Sequence, residues 1–269
     1  MREYLSEKGA YLAAAMLVLA GFVTNVQGQQ ILERVRSSGT VRVCVWPDYY
    51  SVTYRNPNTQ QLEGIDADLS AELGRDLKVR VRHVDSSFVS LVNDLKNDAC
   101  DVAMFAVGVL PQRAQQLTFS RPYLQSDIYG VTTKSNRAVR QWADIDKPGV
   151  LVGVQAGTFM EPVMKASLKQ AQMVVIKPPQ TRELELEAGR IDVFMTDYPY
   201  SRRLLDRADW AALITPPAPF HVLPYAYATR QGDAAWAAQI DEFVSRIQRD
   251  GRLQAAAARH ALSPLVVRP

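Results

Sequence analysis

The chain has 269 residues, of which 47% are hydrophobic and 22% are charged, and its net charge is +3 at pH 7. This composition is typical of a folded globular protein with a sizeable core, arranged as one large domain or two smaller ones. Basic and acidic residues are interspersed without long runs of like charge, so a nucleic-acid partner is not expected.

Residues 1–28 have the layout of a secretory signal peptide. A short polar stretch is followed by an apolar run from Tyr11 to Val23, and Val26 and Gly28 are permissive residues before a cleavage point. A membrane anchor is the alternative, but a spanning helix needs about 20 apolar residues and this run is shorter. We therefore predict cleavage and export to the periplasm.

The next part of the chain alternates between strand and helix patterns. Residues 41–45 are β-branched and alternate, which is typical of a strand, whereas Leu69, Leu73 and Leu77 recur at the spacing of one helix face. The predicted order is a strand at 41–45, a helix around 69–77, a strand at 79–84, a helix around 88–95 and a strand at 101–105. This order predicts a parallel sheet with helical crossovers.

A second unit of the same kind follows. It consists of a strand at 150–154, a helix at 160–168, a strand at 174–176, a helix at 181–188 and a strand at 191–195. The last strands of the two units are similar in sequence, Asp-Val-Ala-Met at 101–104 and Asp-Val-Phe-Met at 192–195. Two similar units predict two lobes of similar plan.

Strands at 129–133 and 225–229 flank the second unit, and we expect them to be the crossovers between the lobes. They divide the chain into lobe 1, residues 29–128 plus 227–269, and lobe 2, residues 129–226. Two helices follow the second crossover, at 236–247 and 253–262. The tail after Ser263 contains two prolines and is expected to be loose.

The two cysteines are Cys44 and Cys100. An even count in an oxidising compartment favours one disulfide, and two buried free thiols are the alternative. No pair of histidines has metal-ligand spacing, and no nucleophile elbow, phosphate loop or dinucleotide fingerprint occurs. The sequence therefore predicts no metal, no cofactor and no catalytic residue.

Candidate ligand-binding residues follow the predicted strands, because ligands of open α/β sheets bind beyond the carboxyl ends of the strands. They offer an aromatic wall, two backbone positions, one guanidinium, one helix start and one carboxylate. In chain order they are Trp46, Asp48, Tyr49, Phe88, Ala106, Gly108, Arg113, Gly157, Thr158 and Asp197.

This set of groups suits a zwitterion. A guanidinium binds a carboxylate through two parallel hydrogen bonds, a helix start favours an anion, and a carboxylate accepts from an ammonium group. Each group also has a structural interpretation: Arg113 in a surface salt bridge, Asp197 as a helix cap, and the aromatic residues as core packing.

Several motifs, in order over roughly residues 38–255, are similar to those of a known family. They include the stretches 64–69 (Gly-Ile-Asp-Ala-Asp-Leu), 111–113 (Pro-Gln-Arg), 152–158 (Val-Gly-Val-Gln-Ala-Gly-Thr) and 189–192 (Gly-Arg-Ile-Asp). On these residues the chain resembles the family 3 extracellular solute-binding proteins of polar amino-acid ABC importers. The resemblance implies an α/β, two-lobed periplasmic-binding-protein fold (type II, Venus flytrap) with two hinge crossovers.

The resemblance also assigns roles. It implies that Arg113 binds the α-carboxylate of the ligand and that Asp197 binds its α-amino group. It also implies that Thr158 contacts the ligand through its hydroxyl and its backbone N–H. Hydroxyl residues that family members often carry are replaced here by Ala106 and Gly108, which indicates an unusual ligand. The implied function is capture of an amino acid or related small amine or carboxylate by a monomer that delivers it to a membrane permease.

Two other functions remain open at this point. One is a ligand-sensing protein that reports to a receptor in trans. The other is an enzyme resembling cyclohexadienyl dehydratase on the same fold, for which Asp48 would be the candidate acid or base.

Overall fold

The computed structural model describes residues 30–268, and the predicted signal peptide lies outside them. No helix between residues 30 and 268 is both long enough and apolar enough to span a bilayer. The first part of the chain forms α1 (Gln30–Ser38), β1 (Thr40–Val45), β2 (Asp48–Tyr49), β3 (Thr53–Arg55), β4 (Leu62–Glu63), α2 (Ile65–Leu77), β5 (Arg80–Asp85), α3 (Leu91–Lys96), β6 (Val102–Gly108), α4 (Pro111–Ala114), β7 (Leu117–Phe119) and β8 (Leu124–Ser126).

The second part forms a separate sheet and its helices, after which the chain returns to the first. Its elements are β9 (Ile128–Thr133), β10 (Leu151–Gln155), α5 (Met160–Ser167), β11 (Gln172–Ile176), α6 (Arg182–Glu187), β12 (Val193–Asp197), α7 (Tyr198–Leu205) and β13 (Ala211–Ile214). The returning segment contains β14 (Leu223–Arg230), α8 (Ala234–Arg249) and α9 (Arg252–Arg259).

The two main sheets have the same plan, which confirms the predicted two-lobed α/β fold. The strand order is β5-β1-β6-β14-β7 in the first sheet and β11-β10-β12-β9-β13 in the second. In each sheet the first three strands are parallel and the fourth is antiparallel to the third. The carboxyl ends of β6 and β12, both buried along their whole length, therefore occupy equivalent places in the two lobes.

The sequence similarity between the starts of β6 and β12 has a structural cause. The Asp101 carboxylate accepts from the backbone N–H of Arg42 at 2.7 Å, and the Asp192 carboxylate accepts from the N–H of Leu151 at 2.8 Å. Asp101 thus joins the start of β6 to the parallel strand β1, and Asp192 joins the start of β12 to the parallel strand β10. The same residue type recurs because the same backbone donor has to be satisfied in both lobes.

The crossovers differ from the prediction. β9 is a strand of the second sheet and β14 is a strand of the first sheet, so neither strand crosses between the lobes. The chain changes lobes just before each of them. Asp127 joins the two connections, because its carboxylate accepts from the N–H groups of Ile128 (2.7 Å), Phe220 (2.8 Å) and His221 (2.7 Å). β14 begins at Leu223, so residues 223–226, which the sequence placed in lobe 2, pair with strands of the first sheet.

The tail after Ser263 is not loose over the described residues. Leu265 is buried, and Val266 forms an antiparallel bridge with Leu124. The N–H of Val267 donates to the carbonyl of Tyr123 at 3.0 Å. Unpaired backbone groups at the edge of β8 hold this segment, an interaction that composition does not reveal.

Candidate ligand-binding cleft

A cleft lies between the two lobes, at the carboxyl ends of the parallel strands. This is the position that open α/β sheets favour for ligands. Its lining combines seven of the sequence-predicted residues with six that the sequence did not indicate. The lining residues are Trp46, Tyr49, Phe88, Ala106, Gly108, Thr158, Phe159, Met160, Arg182, Thr196, Asp197, Tyr200 and Tyr225.

The aromatic wall belongs to the first lobe. The ring of Trp46 lies 5.2 Å from those of Tyr49 and Phe88, and the rings of Tyr49 and Phe88 are 5.7 Å apart. Asp48 does not join them: it is exposed and is absent from the lining. Because side chains alternate along β2, burying Tyr49 directs its neighbour Asp48 to the opposite side.

Arg113 lies beside the cleft, buried behind Gly108. Its guanidinium donates to the carbonyl of Gly108 at 3.0 Å and, across the lobes, to the carbonyl of Gly157 at 2.7 Å. Burial lowers the pKa of Arg113 to about 10, which still leaves it protonated at neutral pH. A buried cation whose hydrogen bonds go only to carbonyl oxygens can bind an anion without breaking an ion pair.

Gly157 lies at a close approach between the two lobes. A Cβ at this position would lie 2.8 Å from the carbonyl carbon of Phe88 in the other lobe, and its φ of +75° is in the left-handed region. Glycine is therefore required both by conformation and by space. The expected anion-binding N–H of Gly157 donates to the Glu161 carboxylate at 2.8 Å, and the Thr158 hydroxyl donates to the Gln155 carbonyl at 2.7 Å.

Asp197 ends β12 and is buried in the cleft. One carboxylate oxygen accepts from the hydroxyls of Tyr49 and Tyr225, the latter at 2.7 Å, and the other accepts from the N–H of Tyr200 at 3.2 Å. Burial raises the pKa of Asp197, and the tyrosine hydrogen bonds oppose that shift. Asp197 therefore combines both interpretations from the sequence, since it caps α7 and also faces the cleft.

Arg182 and Thr196 are second-lobe residues that the sequence did not indicate. The Arg182 guanidinium carbon lies 4.1 Å from the ring centre of Tyr200 and 5.2 Å from that of Phe194, and one of its nitrogens donates to the Met195 carbonyl at 3.2 Å. The Thr196 hydroxyl is the one buried side-chain polar atom without a hydrogen-bond partner among residues 30–268.

Asp66, from the motif at 64–69, supports the floor of the cleft. Its carboxylate accepts from the N–H of Ala106 at 2.9 Å and from the hydroxyls of Tyr123 (2.5 Å) and Tyr227 (2.9 Å). Ala106 has a φ of +49°, which is unfavourable for a residue with a Cβ. The hydrogen bond that the Ala106 N–H donates to Asp66 stabilises this backbone conformation where β6 reaches the cleft.

Asp66 gives a testable pH dependence. Burial raises its pKa from 3.8 to about 6, so between these values the folded state binds more protons than the unfolded state. The contribution of Asp66 to the free energy of unfolding is therefore largest below about pH 4 and falls by about 3 kcal/mol as the pH rises past 6. Denaturant unfolding of wild type and Asp66→Asn should show the variant gaining that amount relative to wild type over this range. Parallel pH curves for the two proteins would contradict the assignment.

A family model and individual relatives match this sequence over most of its length. A family model described as bacterial extracellular solute-binding proteins, family 3, matches residues 41–262. Cyclohexadienyl dehydratase of Pseudomonas aeruginosa is 28% identical over 243 residues, covering 90% of both chains. The L-cystine-binding protein of Escherichia coli strain K12 is 24% identical over 242 residues, also covering 90% of both.

Solved structures share the fold. An ancestral amino acid-binding protein, described as a precursor of cyclohexadienyl dehydratase, matches with a TM-score of 0.77 and 25% identity over 85% of this chain and 98% of that one. A solute receptor for L-cysteine of Neisseria gonorrhoeae matches with a TM-score of 0.77 at 18% identity, over 87% of this chain and 94% of that one. The second likeness concerns the fold alone.

Proposed function

Because this chain belongs to the bacterial extracellular solute-binding proteins, family 3, we propose that it captures an amino acid or a related small amine or carboxylate in the cleft. The observation that carries the proposal is that two buried, oppositely charged groups, Arg113 of the first lobe and Asp197 of the second, lie at the cleft. Arg113 would bind the ligand carboxylate and Asp197 its ammonium group, and the aromatic wall would cover its side chain.

Ligand entry would exchange hydrogen bonds within the cleft. The ammonium group would take the place of one tyrosine hydroxyl at Asp197, and the carboxylate would replace a carbonyl at Arg113. Both exchanges replace a hydrogen bond between a charged and a neutral group by one between two opposite charges, which favours the complex. They also involve contacts between the lobes, so binding and the relative position of the lobes are coupled.

We further propose that the protein works outside the cytoplasm and delivers its ligand to a membrane permease. Members of the matched family are extracellular by description. A disulfide between Cys44 and Cys100 is consistent with an oxidising compartment.

The test is isothermal titration calorimetry of the purified protein with the common L-amino acids. We expect saturable binding of at least one of them, with affinity reduced in Asp197→Asn, which keeps the size of the side chain and removes its charge. If no amino acid binds the folded wild-type protein, the proposed function is wrong.

Catalysis is a second candidate, favoured by the 28% identity with a cyclohexadienyl dehydratase along most of both chains. Elimination needs a positioned acid or base, and Asp197 is the carboxyl group that lines the cleft whereas Asp48 does not. Incubation with a cyclohexadienyl acid such as prephenate would decide. Product formation that disappears in Asp197→Asn would support an enzyme.

A further inference from the structure

We propose that Arg182 and Thr196 form a subsite for a second anionic group of the ligand, so that the cleft prefers acidic amino acids. This inference rests on the proposed function, because it presumes that an amino acid binds between Arg113 and Asp197. It adds the ligand class, which the charges buried around the cleft indicate.

The first argument is the balance of buried charge. Arg113 and Arg182 are both more than nine-tenths buried, and neither has a carboxylate within salt-bridge distance among residues 30–268. Asp197 is the one buried carboxylate lining the cleft. In the proposed complex Asp197 binds the ligand ammonium group and Arg113 its α-carboxylate, which leaves Arg182 as a buried charge without a partner, and burying an unpaired charge is strongly unfavourable.

The other acidic groups do not supply this partner, and the buried Asp66 carboxylate already accepts three hydrogen bonds beneath the cleft. Glu183 is only half-buried and accepts from the Tyr200 hydroxyl, and Asp48 is exposed. Groups in contact with water are screened and interact weakly with a buried cation. An amino acid with a neutral side chain would leave Arg182 without a partner, whereas the side-chain carboxylate of an acidic one would supply it.

The second argument is the unsatisfied hydroxyl of Thr196. Buried polar atoms almost always have a hydrogen-bond partner, and one without a partner calls for an explanation. Thr196 lines the same cleft as Arg182, and the two are connected by Met195, whose carbonyl accepts from Arg182. A carboxylate bound there would accept from both the hydroxyl and the guanidinium.

The third argument is that Arg182 is held in place before any ligand arrives. Its guanidinium carbon lies 4.1 Å from the ring centre of Tyr200 and 5.2 Å from that of Phe194, and a backbone carbonyl accepts from one of its nitrogens. A guanidinium has five N–H donors, so the others remain available to a ligand. A pre-positioned cation loses little conformational entropy on binding, which favours selectivity.

The experiment compares isosteric ligand pairs by calorimetry: L-glutamate with L-glutamine, and L-aspartate with L-asparagine, with L-arginine as the cationic probe. Wild type should bind one acid at least about 10-fold more tightly than its amide, as expected for a charge-assisted hydrogen bond to a buried guanidinium, and should bind L-arginine more weakly than either. Arg182→Met should bring the ratio of acid to amide affinity close to one.

Arg207→Met is the matched control, because Arg207 also stacks on tyrosine rings, those of Tyr50 and Tyr54, but does not line the cleft. It should leave the ratio unchanged.

Thr196→Val provides a test that does not depend on Arg182. Replacing an unsatisfied hydroxyl by a methyl group should raise the melting temperature by about 2–4 °C while lowering the affinity for the acid. Thr196→Ser keeps the hydroxyl and should retain the affinity.

A wild-type protein that binds amides or L-arginine as tightly as acids would overturn this inference alone, as would an unchanged ratio of acid to amide affinity in folded Arg182→Met. Failure of every amino acid to bind would instead overturn the proposed function.

Discussion

Arg113→Ala is expected to reduce the affinity for any amino acid that binds wild type by about 100-fold or more, because truncating one partner of a buried, hydrogen-bonded charge pair leaves the other without compensation. The two carbonyls that now accept from Arg113, those of Gly108 and Gly157, lie in different lobes. The variant therefore also loses one link across the cleft. Calorimetry with the amino acid that binds wild type most tightly measures the effect.

Two variants make the Arg113 result specific. Arg113→Lys keeps the positive charge but cannot form two parallel hydrogen bonds, so its affinity should be intermediate. Arg121→Ala is the control for losing one arginine of the first lobe, because Arg121 is exposed and pairs with Asp241 at 2.7 Å, away from the cleft. It should bind like wild type. An Arg113→Ala protein with wild-type affinity would show that the carboxylate binds elsewhere.

Much of the fold could be predicted from the sequence because its central strands are short, apolar and regularly separated by helical patterns. The strand at 102–108 and the strand at 193–197 are each buried throughout, and each begins after an aspartate with the same role. The crossovers were harder to place. Tyr225 was assigned to the connection between lobes, but it lies in a sheet strand, because pairing partners distant in sequence decide where β14 begins.

The candidate site could be predicted only where its residues directly follow a strand. Tyr225 reaches Asp197 from a strand that returns to the first lobe after the whole second lobe has formed, and no local pattern indicates that contact. Thr196 and Asp197 are neighbours in one strand, so alternation alone would place their side chains on opposite faces, yet both line the cleft where the strand ends. Arg182 begins a helix and has the pattern of a surface residue until two aromatic rings enclose it.

The disulfide between Cys44 and Cys100 joins two strands that lead to much of the first-lobe lining. Cys44 is in β1, which leads to Trp46 and Tyr49, and Cys100 lies two residues before the start of β6. Both cysteines are buried, and the bond closes a loop with a sequence separation of 56 residues. Restricting a loop of that length in the unfolded chain corresponds to a stabilisation of about 4 kcal/mol.

The double variant Cys44→Ala/Cys100→Ala should therefore lose about 4 kcal/mol of unfolding free energy in denaturant titrations. Reduction provides the matched control, since a thiol reductant should lower the unfolding midpoint of wild type and leave that of the double variant unchanged. Ligand affinity, measured under conditions where both proteins are folded, should change much less than stability, because neither sulfur lines the cleft. Equal midpoints for oxidised and reduced wild type would contradict a stabilising bond at this position. A large loss of affinity in the folded double variant would instead show that the bond holds β1 and β6 in the spacing that the aromatic wall requires.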